Sequence, residues 1–297
     1  MKKRALSVVS LLMAILMLTG CGSKTGETGD GTTTPEGEPS KTVSIAISEN
    51  CITLDPHNAN NQGSLIVSDC VYEPLIQTDN EGGYYPWLAE SWEYDETGTV
   101  WTFHLRDGVK FNNGEPLTSA DVVCSYQRLI DEYDSLCRAV ELFPDHLLQS
   151  VEAPDESTVV ITLARPYSVA LFSFAKTMII PKSVYEEQGA DMFYQQNLVA
   201  TGPWKLEKWV YAHYTKNADY WNPNYDSYYE ELYVRHVLEN STAVAGHLSG
   251  DLDANLTTGG INPDMLALYS GSESRIEIVP VEVFSYYYMG FQCGEGS

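Results

Sequence analysis

The chain is poor in basic residues and has no apolar run long enough to cross a membrane as a helix. Its 297 residues include 17 Lys and Arg against 41 Asp and Glu, which gives a formal net charge of −24 at pH 7. The longest apolar run spans 14 residues, 5–18, whereas a transmembrane helix needs about 20. Nucleic acids and anionic lipid headgroups both require a basic surface, so we expect neither as a partner.

Motifs of several enzyme and metal-site classes are also missing. None of the six histidines lies in an H-E-x-x-H motif, and there is no G-x-S-x-G nucleophile elbow. The six cysteines include no C-x-x-C pair, so neither a zinc knuckle nor a dithiol redox centre is supported. Residues 251–262 begin like a calcium loop, but Leu256 replaces the sharp-turn glycine. We therefore predict no enzyme activity, no metal and no cofactor, with free, mostly buried thiols.

The first forty residues predict export and a lipid anchor. Residues 2–4 are basic and precede the apolar run, as in a secretory signal. Residues 18–21 read Leu-Thr-Gly-Cys and resemble the lipobox of bacterial lipoproteins, in which the cysteine, here Cys21, is lipidated and becomes the new N-terminus. Two acyl chains anchor stably where one is marginal. An ordinary signal peptide with a chance cysteine is the alternative.

The composition changes after the lipobox. Residues 22–41 contain no aliphatic or aromatic side chain, and such a segment buries too little surface to offset its ordering entropy. We interpret it as a flexible tether. Roughly 255 residues follow, enough for one large domain or two lobes.

Hydrophobic patterns in this remainder predict a mixed α+β fold rather than a doubly wound sheet. The predicted strands are 43–47, 100–105, 109–111, 158–163, 231–238 and 275–283. The predicted helices are 64–75, a helix that begins after Thr118, and 167–175. Asp121 stands three residues after Thr118, the spacing of a capping box.

Two features have both a functional and a structural interpretation. His57 follows Asp55-Pro56 and has the chemistry of a metal ligand or base. A capped loop histidine is favoured, because no second metal-type residue stands nearby in sequence. The 20 tyrosines and 6 tryptophans suit a recognition surface, but ordinary packing is the favoured interpretation for most of them.

Several segments together resemble family 5 extracellular solute-binding proteins, whose best-known members are the oligopeptide- and dipeptide-binding lipoproteins of ABC importers. Similarity extends in order from about residue 43 to 291. The segments that carry it are Leu54-Asp55-Pro56-His57, Tyr72-Glu73-Pro74-Leu75, residues 86–92 (PWLAESW), 101–111 (WTFHLRDGVKF), 113–123 (NGEPLTSADVV), 151–155 (VEAPD), 201–206 (TGPWKL) and 217–221 (NADYW).

The resemblance implies an α/β, mixed α+β lobe of the periplasmic-binding-protein type II, cluster C. It implies a signal peptide at 1–20, the lipidated cysteine and linker at 21–42, and a discontinuous lobe I of 43–73 plus 198–283. An inserted subdomain would span 74–197, and 284–297 would begin lobe II. Such a protein is a monomer at the outer face of the cell membrane, where it closes on a peptide and docks on an ABC permease.

The resemblance also places candidate ligand residues. Asn60, Asn61 and Gln62 occupy the loop that borders the cleft in the family. Tyr287 stands where an aromatic residue faces the ligand, and Met289 replaces a polar or acidic residue of some relatives. The resemblance assigns Asp55 and His57 structural roles.

Two departures leave alternatives open. Residues 209–215 are about three residues shorter than the usual strand pair of the family. The chain stops at Ser297, where members continue into a second lobe, so we expect a fragment that binds peptides poorly by itself. Other family ligands (a nickel chelate, an oligosaccharide or a signalling peptide) are alternatives within this architecture. A surface adhesin or a hydrolase is the alternative from a different class.

Overall fold

The computed structural model describes residues 41–79, 81–194, 198–209, 212–225, 227–256 and 263–269. Its strands are β1 (Thr42–Ile47), β2 (Ile76–Thr78), β3 (Tyr84–Pro86), β4 (Ala89–Tyr94), β5 (Val100–Leu105), β6 (Leu148–Glu152), β7 (Thr158–Leu163), β8 (Trp204–Lys208), β9 (His213–Lys216), β10 (Glu231–His236) and β11 (Ala254–Leu256). Its α-helices are α1 (Gln62–Asp69), α2 (Ser119–Asp131), α3 (Cys137–Leu142), α4 (Ala170–Lys176), α5 (Lys182–Gln188), α6 (Asn240–Ser249) and α7 (Pro263–Leu268). Short 3-10 helices span Tyr133–Ser135 and Gly189–Tyr194.

The largest sheet combines the first strand with the last four, in the order β11-β1-β10-β9-β8. Strand β1 runs parallel to β10 and β11, whereas β9 runs antiparallel to β10 and β8. Alternate residues of β1 (Val43, Ile45 and Ile47) belong to one hydrophobic core, and Ala46 on the opposite face packs with Ala243 of α6. Both faces of β1 are buried, and the predicted strand is confirmed.

The chain from Leu75 to Ile179 builds a second body around its own core, which we call the inserted body. It holds the two-stranded sheet β2-β3 and an antiparallel sheet in the order β4-β5-β7-β6. Helix α2 starts at the predicted capping box, where the Thr118 amide donates to the Asp121 carboxylate at 2.9 Å. Val122, Tyr126 and Leu129, spaced along one face of this helix, are fully buried. Together the two bodies confirm the mixed α+β class.

One predicted helix is wrong at both ends. The 64–75 pattern begins as a helix at Gln62, two residues early, because the Asn61 side chain caps it. The helix ends at Asp69, because the next carbonyls have partners elsewhere in the chain. The Val71 carbonyl accepts from Gly202, and the Glu73 carbonyl accepts from Ile179.

Three other predicted boundaries change. Residues 109–111 do not form a strand: Lys110 makes an isolated bridge with Pro116, with a turn at 112–113 between them, because Pro116 has no amide with which to extend a ladder. The helix predicted at 167–175 spans Ala170–Lys176, and the strand predicted at 231–238 ends at His236. The strand predicted at 275–283 lies outside the described residues.

Two hydrophobic cores meet along one extended segment. The first core draws on residues from Leu75 to Ile179, and the second on residues 43–72 together with 178–254. Met178 and Ile180 point into the second core, and Ile179 between them points into the first, as the pleat of an extended chain requires. Met178 also forms a bridge with Pro74. We call this meeting line, 73–75 and 178–180, the seam.

Within the part of the chain described above, no helix is long and apolar enough to cross a membrane. Cys21, Tyr287 and Met289 lie outside the described residues.

Candidate functional site

The carboxyl ends of three parallel strands lie at one edge of the large sheet. Ile47, which ends β1, pairs in register with His236 of β10 and with Leu256 of β11. In open α/β sheets, ligands bind outside the carboxyl ends of parallel strands. This edge, at these three residues and the chain that follows Ile47 and His236, is therefore the candidate site, and we call it the carboxyl edge.

The loop after β1 brings two predicted ligand residues to the carboxyl edge. The Gln62 amide donates to Glu49 Oε2 at 2.9 Å, and Asn61 Nδ2 donates to the Asn50 carbonyl at 2.7 Å. Asn61 Oδ1 also accepts the Ser64 amide at 3.3 Å, which caps α1. Asn60 is exposed beside them. The structure thus places the run Asn60–Gln62 next to the exit of β1.

Close backbone contact underlies this arrangement. A Cβ atom on Gly63 would lie 2.5 Å from the Glu49 carbonyl oxygen and 2.6 Å from backbone atoms of Asn50. Only glycine therefore allows α1 to start this close to the end of β1. Sequence reasoning missed both Glu49 and Gly63. The available signal was a glycine in the first turn of a helix, where it is a poor helix former.

Two exposed apolar side chains flank the same edge. Ile52, in the loop after β1, is 61% exposed, and Leu238, just after β10, is 70% exposed. The aliphatic residues within β1 and β10 themselves are buried. The carboxyl edge therefore offers apolar area beside amide and carboxylate groups, a mixture found in small-molecule sites.

The motif before the loop forms a buried ion pair. Arg128 of α2 donates from Nη1 to Asp55 Oδ1 at 2.8 Å and from Nη2 to Asp55 Oδ2 at 2.6 Å. Both side chains are under 10% exposed. Charge-assisted bidentate pairs of this kind fix direction as well as distance. No pattern in the sequence indicated this partner, because the two positions are 73 apart in the chain.

His57 is part of the same buried network. Its Nε2 lies 2.9 Å from the Met178 carbonyl and its Nδ1 lies 3.3 Å from Arg128 Nη1. The carbonyl can only accept and the guanidinium can only donate, so Nε2 carries the proton. Burial, assisted by the Arg128 charge, lowers the pKa of His57 to about 4. The ring is neutral at pH 7, with both nitrogens already engaged.

A second buried carboxylate lies on the seam. Glu73 accepts hydrogen bonds from Trp87 Nε1 at 2.8 Å, Tyr220 OH at 2.6 Å and Trp221 Nε1 at 2.8 Å. Burial raises the pKa of Glu73 to about 7, although these donors favour the charged form. Arg106 stacks on Trp221 at 5.2 Å from the ring centroid. This cluster, which we call the Glu73 clasp, joins the two bodies.

Metal and disulfide chemistry have no geometric basis in the described ranges. No group of three or more His, Cys, Asp and Glu side chains there could hold a metal ion. The four described cysteines, Cys51, Cys70, Cys124 and Cys137, are free thiols. Burial raises the pKa of Cys124 to about 11, so this thiol stays protonated at neutral pH.

Comparisons with known proteins converge on one family. A sequence profile described as "Bacterial extracellular solute-binding proteins, family 5 Middle" matches residues 83–296. Periplasmic oligopeptide-binding protein OppA of Haemophilus influenzae is 30% identical over 237 residues, which is 72% of this chain and 43% of the relative. Glutathione-binding protein GsiB of Escherichia coli strain K12 is 31% identical over 217 residues, covering 71% and 41%. The chain thus spans less than half the length of these relatives.

Solved structures give the same picture. Haemophilus influenzae OppA in complex with the peptide RPPGFSPFR superposes with a TM-score of 0.70 and 25% identity, covering 80% of this chain and 49% of that one. NikZ from Campylobacter jejuni in complex with Ni(L-His) also superposes with a TM-score of 0.70 and 25% identity, covering 80% and 46%.

Proposed function

Because the chain belongs to the bacterial extracellular solute-binding proteins of family 5, we propose that it is the substrate-binding component of an ABC importer. In this proposal it captures peptides outside the cytoplasm, delivers them to a membrane permease and catalyses no reaction. The observation that carries the proposal is the match of the family profile over residues 83–296. The peptide- and glutathione-binding relatives favour a peptide ligand.

The carboxyl edge is the proposed ligand site on this part of the protein. Asn60, Asn61 and Gln62 would meet the ligand there, and Tyr287 and Met289 would meet it from the segment that leads into a second lobe. Amide side chains and free backbone groups can pair with any peptide backbone, and water adapts to its side chains. Glu49 adds a negative charge beside them, which favours a ligand with a cationic end.

The proposed domain organisation is that of the family resemblance. Lobe I would comprise 43–73 and 198–283, with 74–197 as an inserted subdomain and 284–297 as the start of lobe II. The separate hydrophobic cores support a division near residues 73–75, whereas Ile180, Met192 and Phe193 of the 74–197 range pack in the core of the large sheet. Closure of two lobes on a ligand is a hinge motion, whose equilibrium the ligand shifts by its extra contacts in the closed state.

Lipidation of Cys21 is the proposed means of localisation. Tethered through residues 22–41, a monomeric receptor would stay near its permease at high effective concentration. Mass spectrometry of the mature protein tests this: a diacylglyceryl-modified N-terminal cysteine is expected, and an unmodified mature N-terminus would contradict it.

Binding of a nickel chelate is the second candidate, because the likeness to NikZ equals the likeness to OppA in TM-score and identity. Calorimetry of the native protein purified from cell membranes separates the two. The titrants are Ala-Ala-Ala, glutathione, a nonapeptide and Ni(L-His). We expect binding in at least one peptide arm. Binding of the nickel complex alone, or of no titrant, would contradict the peptide proposal.

A further inference from the structure

The loop that carries Asn60–Gln62 is fixed at both ends by different parts of the molecule. At its far end, Asn61 and Gln62 bond to Asn50 and Glu49, at the exit of β1. At its near end, the long-range hydrogen bonds of residues 55–58 run to the inserted body or the seam. The Arg138 amide donates to the His57 carbonyl at 3.2 Å, and the Cys137 amide donates to Asn58 Oδ1 at 3.4 Å. Exposed Asn60 lies between the two sets of contacts.

Arg128 is itself held rigidly. Its guanidinium carbon lies 5.1 Å from the ring centroid of Tyr185 and 4.9 Å from that of Phe193. Arg128 Nε lies 3.5 Å from Glu132, and Tyr185 donates to the same carboxylate at 2.6 Å. A planar guanidinium between rings and carboxylates has one orientation. Asp55, which meets both Nη atoms, is therefore fixed in position by the inserted body.

An apolar pair would join the two bodies at least as stably, because burying two charges carries a large desolvation penalty. What an ion pair adds is direction. Asp55 also accepts the His57 amide at 3.0 Å, so the orientation of this one carboxylate sets the path of the chain toward Asn60. The geometry of the Arg128–Asp55 pair is suited to positioning this loop.

We infer that Arg128 is a positioning residue for ligand binding: from the inserted body it holds the 55–62 loop where Asn60, Asn61 and Gln62 meet the ligand. This inference rests on the proposed function. It gives the inserted body a role in ligand binding, although the binding site itself lies at the carboxyl edge of the large sheet.

The test compares three variants of the protein as the cell produces it. Arg128→Met leaves Asp55 buried and unpaired, and the second variant adds Asp55→Asn, which removes that charge and restores stability. Val159→Ala is the control, because it weakens the core of the same body at a fully buried residue without touching the loop. Hydrogen exchange of residues 55–65 and calorimetry with Ala-Ala-Ala and glutathione are the two readouts.

We expect amide exchange in 55–65 to accelerate at least about tenfold in both Arg128 variants and to stay unchanged in the control. We also expect peptide affinity to fall about tenfold or more in both, even where stability has returned. Native loop exchange in the double variant would overturn the inference, as would faster exchange with unaltered affinity. If the unaltered protein binds neither of these peptides nor the nonapeptide, the proposed function fails, and the exchange comparison still decides whether Arg128 holds the loop.

Discussion

The indole of Trp221 donates a 2.8 Å hydrogen bond to the carboxylate of Glu73, which lies on the seam. Trp87 of the inserted body donates to the same carboxylate. A single buried acid therefore receives donors from both bodies, and its protonation state is coupled to how they fit together.

Folding should take up a proton at Glu73. Burial raises its pKa from 4.5 to about 7, so the folded protein binds this proton more tightly than the unfolded chain does. The resulting stabilisation is fully present below about pH 4.5 and is lost as the pH rises through about 7. As the pH rises from about 4.5 to about 7, we expect deprotonation of Glu73 to lower the free energy of unfolding by on the order of 3 kcal/mol.

Glu73→Gln is the matched control, because the amide keeps the shape of the side chain and does not titrate in this range. Urea denaturation of both proteins at a series of pH values gives the difference. The unaltered protein should lose stability relative to the variant as the pH rises. Parallel curves for the two proteins would show that Glu73 does not titrate in this way.

Loss of the buried guanidinium should be far more damaging than loss of an exposed one. Arg128→Met leaves the Asp55 charge buried without its partner, and we expect a decrease of about 3–5 kcal/mol in the free energy of unfolding. Arg165 pairs with Asp145 at 3.0 Å, with side chains 46% and 83% exposed, so Arg165→Met should cost under about 1 kcal/mol. Denaturant titration measures both, and equal losses would contradict the prediction.

Two helical glycines should respond differently to the same substitution. Gly63→Ala places a methyl group 2.5 Å from a backbone oxygen, and we expect a loss of about 1–3 kcal/mol as α1 moves away from β1. In Gly246→Ala the nearest atom is Leu252 Cδ1, at 2.9 Å, the end of a flexible side chain. Alanine also favours the helix, so this variant should be near neutral. Thermal denaturation distinguishes them, and equal effects would refute the close approach at Gly63.

The side chain of Asn61 should stabilise the start of α1, and that of its neighbour should not. Asn61→Ala removes the acceptor for the Ser64 amide and should destabilise the protein by about 1 kcal/mol. Gln62 is exposed and uses its backbone amide in the bond to Glu49, so Gln62→Ala should change stability by under about 0.5 kcal/mol. Calorimetric unfolding of the two variants is the measurement, and a larger effect at Gln62 would contradict the assignment of the cap.

Sequence patterns correctly predicted those helices and strands whose formation depends mainly on neighbouring residues. The strands at 100–105 and 158–163 are confirmed from end to end, because alternate side chains of each enter one core. The Thr118 cap is confirmed because Asp121, the residue that makes both bonds of the capping box, stands three residues away. Element ends depend on distant contacts, as where Gly202 binds the Val71 carbonyl beyond the end of α1.

The site was only partly predictable for the same reason. A resemblance placed Asn60–Gln62 on a ligand loop, and the structure brings these residues to the carboxyl edge. The groups that hold the loop, Arg128 and Glu49, lie apart from it in sequence and are brought to it by folding, and no periodicity joins them. Glu73 did carry a signal in the sequence, because it is an acidic residue between Tyr72 and Leu75, which are both buried. Its role becomes clear only in the structure, where three side chains donate hydrogen bonds to its carboxylate.

The bridge between Pro74 and Met178 has an evolutionary consequence. The chain enters the inserted body and leaves it at neighbouring positions, Pro74 and Met178, so more than a hundred residues lie between two adjacent points of the fold. Insertions are tolerated where their ends already meet. Evolution could therefore lengthen, shorten or replace the inserted body without changing the large sheet, provided that the replacement still supplied a partner for Asp55.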